Sequence, residues 1–188
     1  MTGVTVRAAT PADAEDVVRI NVRGWQRAYA GILPDDVLEA LDARIPERVT
    51  RLRQQFAAPG DPPWHTAVAV TPDAGTIGFV TYGHCRVNGH DDTERDPTLG
   101  EVLAIYVDPA QQGRGAGRAL LDTAVGALRD QERVTEVRLW VFAENAPARA
   151  FYERYGFYPD GATHLYRVHR TDGTPVEVPE VRYALRCH

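Results

Sequence analysis

Val102-Leu103-Ala104-Ile105-Tyr106-Val107-Asp108-Pro109-Ala110-Gln111-Gln112-Gly113-Arg114-Gly115-Ala116-Gly117-Arg118 is the stretch whose reading decides the fold. It opens on a nearly continuous apolar run, Val102 to Val107, as expected of a central strand covered on both faces. Asp108-Pro109 turns the chain, and a glycine-rich helix start follows. Glycines at 113, 115 and 117 let backbone approach a ligand closely. The unpaired N–H groups and positive dipole end of the next helix point into the same turn. With the guanidinium groups of Arg114 and Arg118 beside it, such a site suits a pyrophosphate.

Three phosphate-binding designs compete for this stretch. A P-loop requires a lysine, and the sequence contains none, so all 21 of its basic residues are arginine. The same absence excludes a pyridoxal Schiff base and a biotin or lipoate carrier. A dinucleotide turn wants its first glycine directly after the strand, but Asp108 to Gln112 intervene, and Arg118 holds the place of the third glycine. Glu144, after the next strand, could imitate that design's ribose-binding acid. The third design is a loop for the pyrophosphate of coenzyme A.

Working outward, Val4 to Ala8 alternates as a first strand, and Thr10-Pro11 starts a helix running to about Tyr29. Val37, Leu38 and Leu41 give a second helical turn or two, and Val49, Leu52 and Phe56 a third piece. Ala67 to Val70 and Ile77 to Tyr82 read as an antiparallel hairpin. Arg86 to about Leu99 is polar and acidic and reads as a surface loop. Leu120, Leu121, Val125 and Leu128 mark the helix after the glycines. A strand at Val137 to Phe142, a helix from about Ala146 to Tyr155, and strands around Leu165 to His169 and Val181 to Leu185 complete the chain. Pro175 and Pro179 make the last connection longer than a tight hairpin. The sum is one α/β (α+β) domain over residues 1–188, a mixed, mainly antiparallel sheet of six to seven strands flanked by helices.

The 188 residues are 44% apolar and 25% charged, a globular profile with length enough for one real core. A net charge of -5 is the wrong sign for nonspecific binding to phosphate backbones, which argues against nucleic acid as a partner. No stretch approaches the length needed to span a bilayer, no leader pattern opens the chain, and two cysteines make no disulfide framework. A cytoplasmic protein away from membranes is expected. The six histidines show no metal spacing, so no metal is expected either.

Gln112-Gly113-Arg114-Gly115-Ala116-Gly117 is similar to the Gln/Arg-x-x-Gly-x-Gly/Ala signature of the GCN5-related N-acetyltransferase (GNAT) family, as is the strand ending in Tyr-Val-Asp-Pro before it. A second stretch, Asn145 to Phe157, resembles the family's later motif Asn-x-x-Ala-x-x-x-Tyr-x-x-x-Gly-Phe. The resemblance implies acetyl-CoA as cosubstrate, a small-molecule or peptide amine as acceptor, direct transfer in a ternary complex, and, by analogy only, a homodimer. It places cofactor contacts at Ile105, Tyr106 and Val107, whose backbone would face the pantetheine arm and acetyl carbonyl. It adds Gln112, Gly113, Arg114, Gly115, Ala116, Gly117 and Arg118 at the phosphates, and Asn145 and Ala148 along the arm.

Direct transfer needs a base for the amine, a donor for the oxyanion and a donor for the departing thiolate. By resemblance Tyr152 is that last donor, a role worth roughly 10²- to 10⁴-fold; as a bare residue it could equally anchor the core. Glu101 matches the position of a base glutamate in the histone-acetylating branch, or is an ion-pairing residue at a strand end. Asn145 is also a good helix cap. Trp25 and Tyr29 share a helix face and open a segment that borders the acceptor pocket in many bacterial members, unless they simply pack the core. An aromatic floor with acidic neighbours would favour a cationic amine, and the acidic residues Asp91, Asp92, Glu94 and Asp96 could steer one. No nucleophile stands out as a covalent acetyl carrier. A coenzyme A-binding sensor without turnover is the alternative from another functional class.

Overall fold

The computed structural model describes residues 3–87, 94–131 and 133–187. Strand β1 (Thr5–Ala8) leads into a short 3-10 turn, Pro11–Asp13. There the Asp13 carboxylate accepts from the Thr10 N–H at 2.8 Å and the Thr10 hydroxyl at 2.7 Å, fixing the start of α1 (Ala14–Ala28). Helices α2 (Asp35–Glu39) and α3 (Ile45–Ala57) follow, then strands β2 (Trp64–Thr71), β3 (Gly75–Arg86) and β4 (Arg95–Val107). Helix α4 (Ala116–Arg129), β5 (Glu136–Phe142), α5 (Ala146–Tyr155), β6 (Tyr158–His169) and β7 (Pro175–Arg186) complete the order. The seven strands form one sheet in the order β1-β2-β3-β4-β5-β7-β6, in which only β4 and β5 run parallel.

Helices cover both faces. Leu120, Leu121, Val125 and Leu128 lie on one side of α4 and pack on Val80, Val102, Val137, Leu139 and Tyr183 of the sheet. Each fully buried leucine there stabilises the fold by about 1.5–3 kcal/mol. On the opposite face, Val17 and Ile20 of α1 pack on Val68 and Phe79. Leu33 and Leu38 pack on Phe142 and Val178 beside them.

The strands are longer than their apolar cores suggest. Of the segment expected as a loop from Arg86 to Leu99, both ends are strand, because β3 reaches Arg86 and β4 begins at Arg95 with the pairs Arg86↔Arg95 and Cys85↔Asp96, while residues 88–93 lie outside the described residues. Pro97 is tolerated because the ladder jumps from Cys85↔Asp96 to His84↔Gly100, a bulge in which residues 97–99 need no donor toward β3. The guanidinium of Arg95 lies 4.2 Å over the Trp64 ring, so a polar sequence is held by stacking. Of the acidic group named from the sequence, Asp91 and Asp92 lie outside the described residues, whereas Asp96 accepts from the Thr98 N–H at 2.8 Å.

At the other end, β6 starts at Tyr158 rather than near Leu165, and β7 runs through Pro179, which pairs with Leu165. The turn between them is compact. Arg170 N–H donates to Thr174 at 2.9 Å, and Gly173 takes a left-handed φ of 87°. The Val102 to Val107 run is not covered on both faces as expected; Leu103 is 38% exposed. The reason is that β5 turns away from it.

Candidate active site

Strands β4 and β5 pair only at Leu99↔Glu136, Gly100↔Val137 and Glu101↔Arg138. Beyond that point β4 stays bonded to β3 on one side and opens on the other into a cleft of about 780 Å³. Every second residue between Val102 and Val107 therefore turns its N–H and C=O into the cleft without a strand partner. Unpaired backbone in the middle of a sheet is costly, and a ligand with amide groups can satisfy it. Ile105, Tyr106 and Val107 all lie on this wall.

The first turn of α4 forms one end of the cleft, through Gln112, Gly113, Gly115, Ala116, Gly117 and Arg118. Gly113 and Gly115 have φ of 81° and 83° with no atom within 4 Å of an added Cβ, so the backbone conformation and not the space demands glycine. Asp108 sets this turn by accepting from Ala110 N–H at 3.0 Å and from Arg23 at 2.5 Å. Arg118 reaches the cleft while its Nε donates to Asp122 at 3.0 Å and its guanidinium lies over Tyr155. Arg114 does not line the cleft. Its guanidinium donates to both Asp73 oxygens, at 3.0 and 2.9 Å, and to Gln111, because the β2–β3 turn brings that carboxylate alongside. Arg27, at the end of α1, and Arg154, at the end of α5, line the cleft instead. Their last-turn positions were the only sequence signal for them.

The opposite wall comes from α5 and β5. Asn145 caps α5, its Oδ1 accepting from Ala148 N–H at 3.3 Å, and both residues line the cleft. Tyr152 lines it as well. Its ring packs against Phe151 and Phe157, and no described residue hydrogen-bonds its hydroxyl. Burial, with a smaller contribution from Tyr29, pushes that phenol well above its ordinary value, so it keeps its proton at neutral pH. Trp140 also faces the cleft, a position that sequence reasoning did not single out.

Across the cleft, the Tyr29 and Tyr106 hydroxyls share a hydrogen bond of 2.9 Å. The Tyr106 ring passes under α1 only because residue 24 is glycine, where an added Cβ would sit 2.5 Å from Tyr106 Cδ1. Burial raises the Tyr29 phenol to about 12, and the Tyr106 bond offsets part of that rise. Tyr29 lines the cleft, whereas Trp25 stacks edge-on against it at 5.1 Å in the aromatic cluster behind.

Glu101 stands apart from the cleft wall. It is 2% exposed, and Arg86 grips it through Nε at 3.2 Å, Nη2 at 2.5 Å and the backbone N–H at 3.1 Å. A carboxylate with its lone pairs so engaged is not positioned to take an amine proton. No carboxylate or imidazole lines the cleft among the described residues, so the acidic surroundings expected for a cationic acceptor are not found there. The Cys85 thiol is raised to about 11, chiefly by burial, which leaves it a poor nucleophile. Among the described residues no group of three or more His, Cys, Asp or Glu could hold a metal, and no helix is long and apolar enough to cross a membrane.

A family model described as the acetyltransferase (GNAT) family matches residues 32–157. The uncharacterized N-acetyltransferase YuaI of Bacillus subtilis is 30% identical over 152 residues, which cover 81% of this chain and 79% of that protein. A mycothiol acetyltransferase of Salinispora tropica is 34% identical over 139 residues, covering 70% of this chain and 43% of the relative, so this chain spans less than half of that protein. Among solved structures, the PaiA N-acetyltransferase of Thermoplasma acidophilum in complex with coenzyme A shares the fold, with a TM-score of 0.67, 20% identity, and coverage of 98% and 99% of the two chains. The split sheet, the glycine turn at its mouth and the match over residues 32–157 agree, and the chain belongs to the GNAT family and is an N-acetyltransferase by class.

Proposed function

We propose that the cleft takes acetyl-CoA and that the chain transfers its acetyl group to a primary amine of a small molecule or peptide in the cytosol. The observation that carries this reading is the convergence, in one cleft, of a central strand edge that leaves its neighbour, a glycine-opened helix N-terminus and a phenol with no hydrogen-bond partner among the described residues. Amide N–H groups at the start of α4, with Arg118, Arg27 and Arg154, suit the phosphates. The open edge of β4 suits the two amides of the pantetheine arm, which would bond it as a strand does. Asn145 and Ala148 border the same path.

The amine attacks the thioester carbon directly. A C–N bond forms, the C–S bond breaks, and the Tyr152 hydroxyl donates to the departing sulfur. The β4 backbone N–H groups are the donors available to the oxyanion. With no carboxylate among the described residues of the cleft wall, the amine proton leaves to water, so the reactive acceptor is the neutral amine. Tyr152→Phe is expected to lower the turnover number by roughly 10²- to 10⁴-fold in a thiol-release assay while acetyl-CoA affinity is kept. Unchanged turnover in that variant would remove Tyr152 from the mechanism. The engagement of Glu101 by Arg86 favours, as a second reading, a coenzyme A-binding sensor. Cofactor binding without thiol release from any amine would select it.

A further inference from the structure

A second, smaller cavity of about 150 Å³ adjoins the cleft, with Trp140 in the lining of both. Its wall carries three guanidinium groups, Arg86, Arg138 and Arg182, against one carboxylate, Asp96. The charges behind it divide these arginines into two kinds. Arg86 is consumed by its bidentate pair with Glu101. Arg138 and Arg182 are each held through Nε alone, by Glu136 at 2.7 Å and Asp160 at 2.6 Å, and no described residue accepts from their terminal nitrogens. Asp96 spends one oxygen on the Thr98 N–H and hydroxyl.

The placement is set by the sheet. Trp140 pairs directly with Arg182, and Arg138 lies two residues before Trp140, so all three side chains share a face and the two arginines are diagonal neighbours. Arg182 also lies over the Trp140 ring at 5.4 Å, which with its Nε anchor fixes the guanidinium before any ligand arrives. Two pre-oriented forks with free η N–H groups match the planar oxygens of a carboxylate.

We propose that this cavity binds the carboxylate of the acceptor, so that the substrate is an amine that also bears a carboxylate, held by Arg138 and Arg182. The proposal rests on the acetyltransferase reading and narrows it to anionic amines. A free ω-amino acid and a peptide C-terminus share this chemistry.

Calorimetry on the coenzyme A-loaded protein tests it without turnover. The probes are N-acetyl-4-aminobutyrate and N-acetyl-glycylglycine, each compared with its primary amide. Each acid is expected to bind about tenfold or more tightly than its amide. Arg182→Gln and Arg138→Gln should each abolish the preference while coenzyme A affinity stays unchanged and reports an intact fold. A preference confined to the first pair identifies a free amino acid, and one confined to the second a peptide end. Equal binding of acids and amides, no binding of any acid, or a preference surviving in both variants would overturn the proposal. Failure to bind coenzyme A itself would instead strike the acetyltransferase reading, and this inference with it.

Discussion

Replacing Glu101 with glutamine takes away the carboxylate charge that Arg86, whose side chain is 7% exposed, meets in the middle of the sheet. The carboxylate now satisfies three N–H donors of that residue, one of them from the backbone. Breaking one partner of a buried pair costs about 3–5 kcal/mol, against about 5–15 kcal/mol for a whole domain. With a urea slope of about 2 kcal/mol per molar, the unfolding midpoint should fall by roughly 2 M. The double variant Glu101→Leu, Arg86→Met removes both charges and should recover most of that loss, since apolar replacement of a buried pair is commonly neutral or stabilising. In thiol release per folded molecule, the double variant should stay within about tenfold of the parent with the same pH dependence, because the carboxylate supports the sheet and takes no proton. Two results would refute this reasoning. One is a Glu101→Gln protein with an unshifted midpoint. The other is a double variant that regains stability yet loses about a hundredfold or more in rate, which would return Glu101 to the role of base.

Asp13 accepts from Arg7 at 2.7 and 2.8 Å, from Thr10 and from Thr76, and the Arg7 hydrogen bonds hold its carboxyl well below the usual carboxylate range. A depressed folded value means the contribution is complete above the unfolded value near 3.9 and is lost as pH falls through the folded one. Asp13→Asn should therefore cost about 2 kcal/mol at pH 7 and flatten the acid limb of a stability-versus-pH curve measured by denaturant melts. Gly24→Ala pushes a methyl group into the Tyr106 ring, and overpacking of this kind costs about 1–3 kcal/mol. A lowered thermal midpoint with weakened acetyl-CoA binding is expected, and wild-type values for both would show that Tyr106 has room to move.

The glycine turn and the Asn145 to Phe157 stretch were legible because their chemistry is local. Positive φ at Gly113 and Gly115 and the Asn145 cap need only neighbouring residues to be read. The family resemblance turns the backbone of Ile105, Tyr106 and Val107 toward the cofactor, yet Val102 to Val107 reads by composition as a strand covered on both faces. Nothing in an apolar run says that its neighbour diverges. The ends of β3 and β4 were hidden because Arg86, Arg95 and Asp96 look like loop, and what holds them is Trp64, far away in sequence. Long-range partners also misled the reading of single charges. Arg114 was placed at the phosphates until Asp73 arrived from another turn, and of the two roles open to Glu101, base or ion-pairing residue at a strand end, it is the second whose partner, Arg86, lies in the fold.

The gap beside β4 makes the fold a sheet with half a strand missing at its centre. A pantetheine chain lying there would be a surrogate strand, and its arrival would finish the architecture as well as fill a pocket. Amide protons along residues 102–107 that face the gap should exchange quickly with deuterium in the empty protein and slow down when the thiol cofactor is added. Those facing β3 should stay slow throughout. The chain would thus be stiffest only while loaded, and its resistance to heat and proteases should rise with the cofactor supply.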